Sequence, residues 1–78
     1  MDNKEINNRL NRIEGQIVGI SKMVQVGEKD VLSVIQQVMA LKSALEKVGV
    51  LLLIEDLKNG GQDGAKLEKI FDYLIKLS

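Results

Sequence analysis

The sequence predicts an all-α protein of three helices, in which the first two form a long hairpin. Three observations support this fold class. The 78 residues contain no proline. Apolar residues recur at steps of three and four along most of the chain, which is the spacing of one helix face. Glycines suited to ending a helix occur in two places only, at Gly27 and between Gly60 and Gly64.

The first predicted helix runs from about Lys4 to Val26. Gly15 and Gly19 lie inside it, where each costs up to about 1 kcal/mol relative to Ala. Their spacing indicates the close approach of another helix. The apolar residues of this helix step by four and three, as helix packing requires, at Ile6, Leu10, Ile13, Ile17, Ile20 and Val24.

The second predicted helix runs from Asp30 to Asn59 after a tight turn at Gly27. Asp30 is placed to accept hydrogen bonds from the first free amides, and Gly60-Gly61 supplies the stop. Around residues 48–54 the helix is apolar almost all round, so several neighbours must bury it. Its main apolar residues again step by four and three, at Val34, Val38, Leu41, Leu45, Val48 and Leu52.

A short third helix is predicted from about Ala65 to Leu77. The first helix and a short third one cannot enclose the second helix within one chain. A single core of this size rarely supplies more than about 3–5 kcal/mol of net stability. Cys and His, which could add disulfides or a zinc site, are absent. We therefore expect one domain, residues 1–78, that pairs its second helix with another subunit in an antiparallel four-helix-bundle dimer. The inward face of the third helix comprises Leu67, Ile70, Phe71 and Leu74.

Composition excludes several classes of function. Eleven basic and eleven acidic residues balance, so there is no basic tail typical of nucleic-acid binding. The polar start Met1–Glu5 lacks an export signal, and the longest apolar run, Val50–Ile54, is too short to span a bilayer. We expect a cytoplasmic protein without membrane contact. With no His, no Cys, no phosphate loop and the carboxylates of Glu55-Asp56 diverging by about 100°, we expect neither enzymatic activity nor a cofactor.

Three segments of the sequence are more informative about function: Arg9-Leu10-Asn11-Arg12-Ile13-Glu14-Gly15-Gln16-Ile17, Ala44-Leu45-Glu46-Lys47-Val48 and Leu51-Leu52-Leu53. With them the chain resembles the copper-sensitive operon repressor family of bacterial regulators, whose relatives respond to nickel or cobalt, formaldehyde and persulfides. The resemblance covers nearly the whole chain. It implies an all-helical DNA-binding fold, a dimer built on an antiparallel four-helix bundle, and pairing of dimers into a flat tetramer.

The family senses its stimuli through one cysteine at the start of the second helix and a His-x-x-x-Cys pair near its end. Alignment of the second helix puts these ligands at Val31, Asp56 and Gly60, and counting from Met23 moves the first one to Asp30. None of these residues supplies the thiolate that copper(I), persulfide or formaldehyde chemistry needs. We therefore expect no metal ligand at these positions.

The family's DNA contacts include an arginine of the first-helix motif and a basic residue after the Ala-Leu-Glu segment, which fall on Arg9 and Lys47. Arg12 lies on the same turn as Arg9, and Lys42 matches a position where relatives often carry arginine. Val18 replaces another arginine of many relatives. The resemblance thus implies DNA contact by Arg9, Arg12, Lys42 and Lys47, with reduced affinity.

These observations predict a transcriptional regulator, a repressor, that forms a homotetramer and binds double-stranded operator DNA. Two alternatives remain open. The chain could be a protein-interaction module that forms mixed oligomers with an intact family member, or a bundle with no DNA role. It could also respond to a hard cation through the oxygen donors of Asp30, Glu55 and Asp56.

Overall fold

The structure, a computed structural model, describes residues 4–61 and 63–77. These residues form three helices and no strand: α1 Lys4–Gln25, α2 Val31–Lys58 and α3 Gly64–Leu77. The all-α fold is confirmed. Each observed helix limit lies within one residue of the predicted limit, because the signals that end these helices are local.

The turn after α1 depends on a glycine. The amide of Gly27 donates to the carbonyl of Val24 at 3.1 Å, and that of Glu28 donates to the carbonyl of Met23 at 3.0 Å. These are the two hydrogen bonds of a Schellman motif. Gly27 has a φ of 68°, in the left-handed region that glycine adopts without a steric penalty. The chain reverses here, so α2 returns along α1 as a hairpin.

Both ends of α2 are capped as the sequence predicts. Oδ1 of Asp30 accepts a hydrogen bond from the amide of Ser33 at 3.2 Å. At the other end, the amide of Gly61 donates to the carbonyl of Asp56 at 2.9 Å. Gly60 and Gly61 have φ of 110° and 73°, which a residue with a side chain rarely adopts. The two glycines therefore stop the helix.

The short helix α3 begins with a cap of its own and lies against the end of α2. Oδ1 of Asp63 accepts from the amide of Lys66 at 2.9 Å; Gln62, in the same connection, lies outside the described residues. A Cβ added to Gly49 would lie 2.7 Å from Cδ2 of Leu74. The glycine thus lets α3 approach α2 closely. Within residues 4–61 and 63–77, α3 makes no contact with α1.

The core within one subunit is thin. Ile6 and Ile13 of α1 and Val48 of α2 are buried, and Leu53 is the fourth buried apolar residue among those described. Three half-buried residues of α2 complete the contact with α1: Leu41, Ala44 and Leu51.

The subunit is long and open. Its radius of gyration is 15.6 Å, whereas a compact chain of this length has about 11.5 Å. Its accessible surface is 5955 Å², against about 4,700 Å² for a compact monomer of this mass. Part of the excess is a row of apolar residues along α2, which we call the apolar stripe. Its four residues follow each other at steps of seven and are 40–61% exposed: Val31, Val38, Leu45 and Leu52. One face of the potential core is therefore uncovered in the single chain.

The surroundings of Gly15 and Gly19 differ from the predicted close approach of another helix. A Cβ added at either position would meet no atom within 4 Å. The close helix approach predicted from their spacing does not occur within the subunit, because both glycines lie on the side of α1 that faces away from α2.

None of the described helices is both long enough and apolar enough to cross a membrane.

Candidate DNA-binding surface

The two arginines of the first-helix motif lie on one flank of the hairpin. Ile6 and Ile13 mark the line of α1 that packs on α2. At 100° per residue, Arg9 and Gln16 lie about 50–70° to one side of this line, and Arg12 about 110°. There they border an open groove between the helices, which we call the α1–α2 cleft. Its lining residues are Arg9, Arg12, Ile13, Gln16 and Ala44.

Arg9 is half-buried at the edge of this cleft. Its Nη2 donates to Oε1 of Glu5, one turn earlier on α1, at 3.3 Å. The Nε of Arg9 is buried and has no hydrogen-bond partner among the described residues, and the same holds for Oε1 of Gln16. Two residues that line the cleft thus carry a donor and an acceptor that the described part of the subunit leaves unpaired.

Lys47 extends the same flank along α2. Ala44 lines the cleft, and Lys47 follows it by three residues, about 60° further around α2 in the same direction. Lys47 is exposed. Arg9, Arg12 and Lys47 therefore share one side of the hairpin, which we call the basic flank.

Lys42 does not lie on the basic flank. It is five residues from Lys47, a rotation of about 140° around α2. This places half-buried Lys42 beside Val38 and Leu45 of the apolar stripe. The structure thus brings together three of the four predicted DNA contacts and separates the fourth, because linear spacing alone did not specify which side of α2 meets α1.

The first position aligned with the family's sensing ligands is at the start of α2. Val31 is the first residue of the helix and is 61% exposed. Asp30, the alternative for this position, uses its carboxylate to cap α2. Neither residue type offers the soft sulfur donor that copper(I) prefers.

The other two positions differ in backbone conformation. Asp56 is a half-buried residue of α2 beside Leu53 and Tyr73 in the groove between α2 and α3. Gly60 lies beyond the end of α2 with a φ of 110°. A His-x-x-x-Cys pair converges on one ion when both residues belong to one helix, and here the helix ends between them.

The oxygen donors considered for a hard cation are also apart. Asp30 caps the start of α2, whereas Glu55 and Asp56 lie near its end, about 37 Å away at 1.5 Å per residue. In the part of the chain that the structure describes, no three His, Cys, Asp or Glu side chains come together as a ligand set. The described residues of one subunit therefore do not bring Asp30 together with Glu55 and Asp56.

Gln16 and Glu5 were not among the candidate residues from sequence, although the signal was present. Gln16 follows Arg9 by seven residues and Arg12 by four, which places all three side by side on a helix. Glu5 precedes Arg9 by four residues, the spacing of a helical ion pair. Helical spacing around an assigned arginine would have identified both.

The fold and the two contrasting flanks define a small all-helical binding protein, with arginines on one side and an uncovered apolar stripe on the other. The chain belongs to the metal-sensitive transcriptional repressor family, whose profile matches residues 2–77. This confirms the resemblance seen in the first-helix motif, and a repressor of this family binds DNA. Comparisons with curated proteins and with solved structures return no match.

Proposed function

We propose that this protein is a cytoplasmic DNA-binding repressor that works as a homotetramer, without the family's Cys and His sensing site. Duplex DNA is bound through phosphate contacts from the basic flank, Arg9, Arg12 and Lys47. The observation that carries the proposal is the placement of Arg9 and Arg12 on one cleft of the hairpin, with Lys47 on the same side. Guanidinium groups suit phosphate because they offer several donors in a fixed plane.

The separation of the two flanks supports this assignment. The apolar stripe needs a partner subunit, and its position leaves the basic flank outside the helix pairing that would cover it. A chain with no net charge can still bind a polyanion when its cations lie together on one side. Lys42, beside the apolar stripe, is not part of the proposed DNA contact.

The test is the salt dependence of duplex DNA binding by the tetramer. Each phosphate contact contributes about −0.9 to the slope of log affinity against log salt, so symmetric contacts from several subunits give a slope of several units. Arg9→Ala should flatten this slope. The matched control is Lys69→Ala, which removes one positive charge per subunit from the exposed surface of α3.

Two results would reject the DNA-binding proposal. One is equal binding of duplex DNA by Arg9→Ala and Lys69→Ala, and the other is no binding of duplex DNA by the wild type at low salt. The interaction-module alternative would then take its place, and co-purification with an intact family member would test it.

A further inference from the structure

Two polar atoms of residues that line the α1–α2 cleft are buried and unpaired. They are the donor Nε of Arg9 and the acceptor Oε1 of Gln16, neither of which has a partner among the described residues. Burial of an unpaired polar group is unfavourable, so native proteins rarely retain one without a bound water, ion or ligand. Both atoms belong to side chains that line one cleft, so rotation of these side chains would turn their unpaired polar groups toward a ligand bound there.

The lining of the cleft selects the kind of group. Arg9 and Arg12 repel a cation, whereas Ile13 and Ala44 supply only a small apolar area. The cleft is open to solvent and has a volume of about 200 Å³, enough for one tetrahedral anion. An oxygen of a phosphodiester would accept hydrogen bonds from both arginines.

The side-chain amide of Gln16 can donate a hydrogen bond to the same phosphodiester oxygen. Rotation about its last side-chain bond exchanges the oxygen and the NH₂ group, which are nearly identical in size. In the rotated position Gln16 donates to the bound oxygen. We propose that Gln16 is a third ligand of a DNA phosphate seated in the α1–α2 cleft, together with Arg9 and Arg12; this inference rests on the proposed DNA binding.

Such a contact positions α1 on the DNA backbone and reads no base. Its loss should therefore weaken binding to all duplex sequences by a similar factor. The expected change would distinguish a phosphate ligand from a residue that recognises the operator sequence.

The experiment compares Gln16→Glu with Asn11→Asp. Both replace an amide by a carboxylate on α1 and add the same charge per subunit, but Asn11 is exposed and lies about 140° around the helix from Gln16. Gln16→Glu should weaken duplex binding at least about tenfold more than Asn11→Asp, since a hydrogen bond to a charged group is replaced by repulsion. Gln16→Met, similar in size and uncharged, should also weaken binding while circular dichroism shows the same helix content.

A second measurement reports the contact directly. Addition of duplex DNA should shift the side-chain NH₂ signals of Gln16 in the amide NMR spectrum, and Gln16→Met identifies those signals. Inorganic phosphate at matched ionic strength is the comparison that separates DNA from a free anion. A shift of these signals with phosphate and none with DNA would overturn the proposal.

The failures of the two proposals can be told apart. If the wild type binds duplex DNA and Arg9→Ala weakens it, but Gln16→Glu and Gln16→Met bind as tightly as Asn11→Asp, only the role of Gln16 is rejected. If the wild type does not bind duplex DNA, both proposals are rejected.

Discussion

Glu5 competes for the arginine that we assign to DNA contact. Its Oε1 accepts from Nη2 of Arg9 at 3.3 Å, and the side chains of Arg9 and Glu5 are 33% and 66% exposed. An exposed ion pair one helical turn apart is weak. A DNA phosphate can therefore displace Glu5, although the carboxylate stays close enough to repel the phosphate. The affinity for DNA should thus be lower than Arg9 and Arg12 alone would give.

Replacement of Glu5 by Gln should raise duplex affinity by about twofold for each subunit that contacts DNA, because it releases Arg9 from a helical ion pair. The binding curve at low salt measures this. The control is Glu14→Gln, which removes the same charge from an exposed site on the other side of α1. Equal gains in both variants would show a general charge effect and no specific competition by Glu5.

At the scale of the helices, the sequence predicted the helix ends, which depend on a few neighbouring residues. Asp30 before an apolar segment and the glycines at 27, 60 and 61 defined the helix ends, because caps and left-handed residues act within a few positions. The rotation of α2 about its axis relative to α1 could not be predicted from these local signals. Lys42 was grouped with Lys47 by motif position, yet only the packing of α2 on α1 decides which flank each lysine occupies.

Two Gly→Ala substitutions test the packing of the helices. Gly15→Ala should stabilise the protein by up to about 1 kcal/mol, since Ala favours a helix and the new Cβ would meet no atom of its own subunit. Gly49→Ala brings the same gain in helix propensity, but its Cβ would press on Leu74 at 2.7 Å. We expect thermal unfolding to place Gly49→Ala below Gly15→Ala. The reverse order would mean that a partner helix packs closely on Gly15.

The end of α2 makes a prediction about metals. The wild type should bind copper(I), zinc and nickel no more tightly than about micromolar, because it lacks thiolate and imidazole ligands. Adding these ligands with Val31→Cys, Asp56→His and Gly60→Cys should restore little affinity. The left-handed Gly60 lies outside the helix, so a thiol there is not one turn above residue 56. Competition against a chelator measures both proteins, and tight binding by the triple variant would show that α2 can lengthen.

At the scale of the whole molecule, the proposed function gives the opposite flanks of the hairpin different partners. The apolar stripe follows a seven-residue spacing along α2, which drifts by only about 20° per step and so forms a nearly straight seam. An identical subunit related by a two-fold axis would present the same seam in return. The two basic flanks then remain on the outside of the bundle. Although the net charge is zero, the basic and apolar surfaces thus lie on separate sides of the hairpin.

The apolar stripe predicts that the chain does not persist as a folded monomer at micromolar concentration. Leu52 is 46% exposed in the single subunit and would be covered in the paired state, so Leu52→Asp places an unpaired charge in a buried seam. We expect this variant to dissociate or unfold, whereas the wild type sediments as a dimer or tetramer. The control is Val26→Asp in the turn after α1, at a residue that is 79% exposed and outside the stripe. A wild-type monomer with full helix content, or normal assembly of Leu52→Asp, would contradict the bundle, because nothing would then cover the stripe.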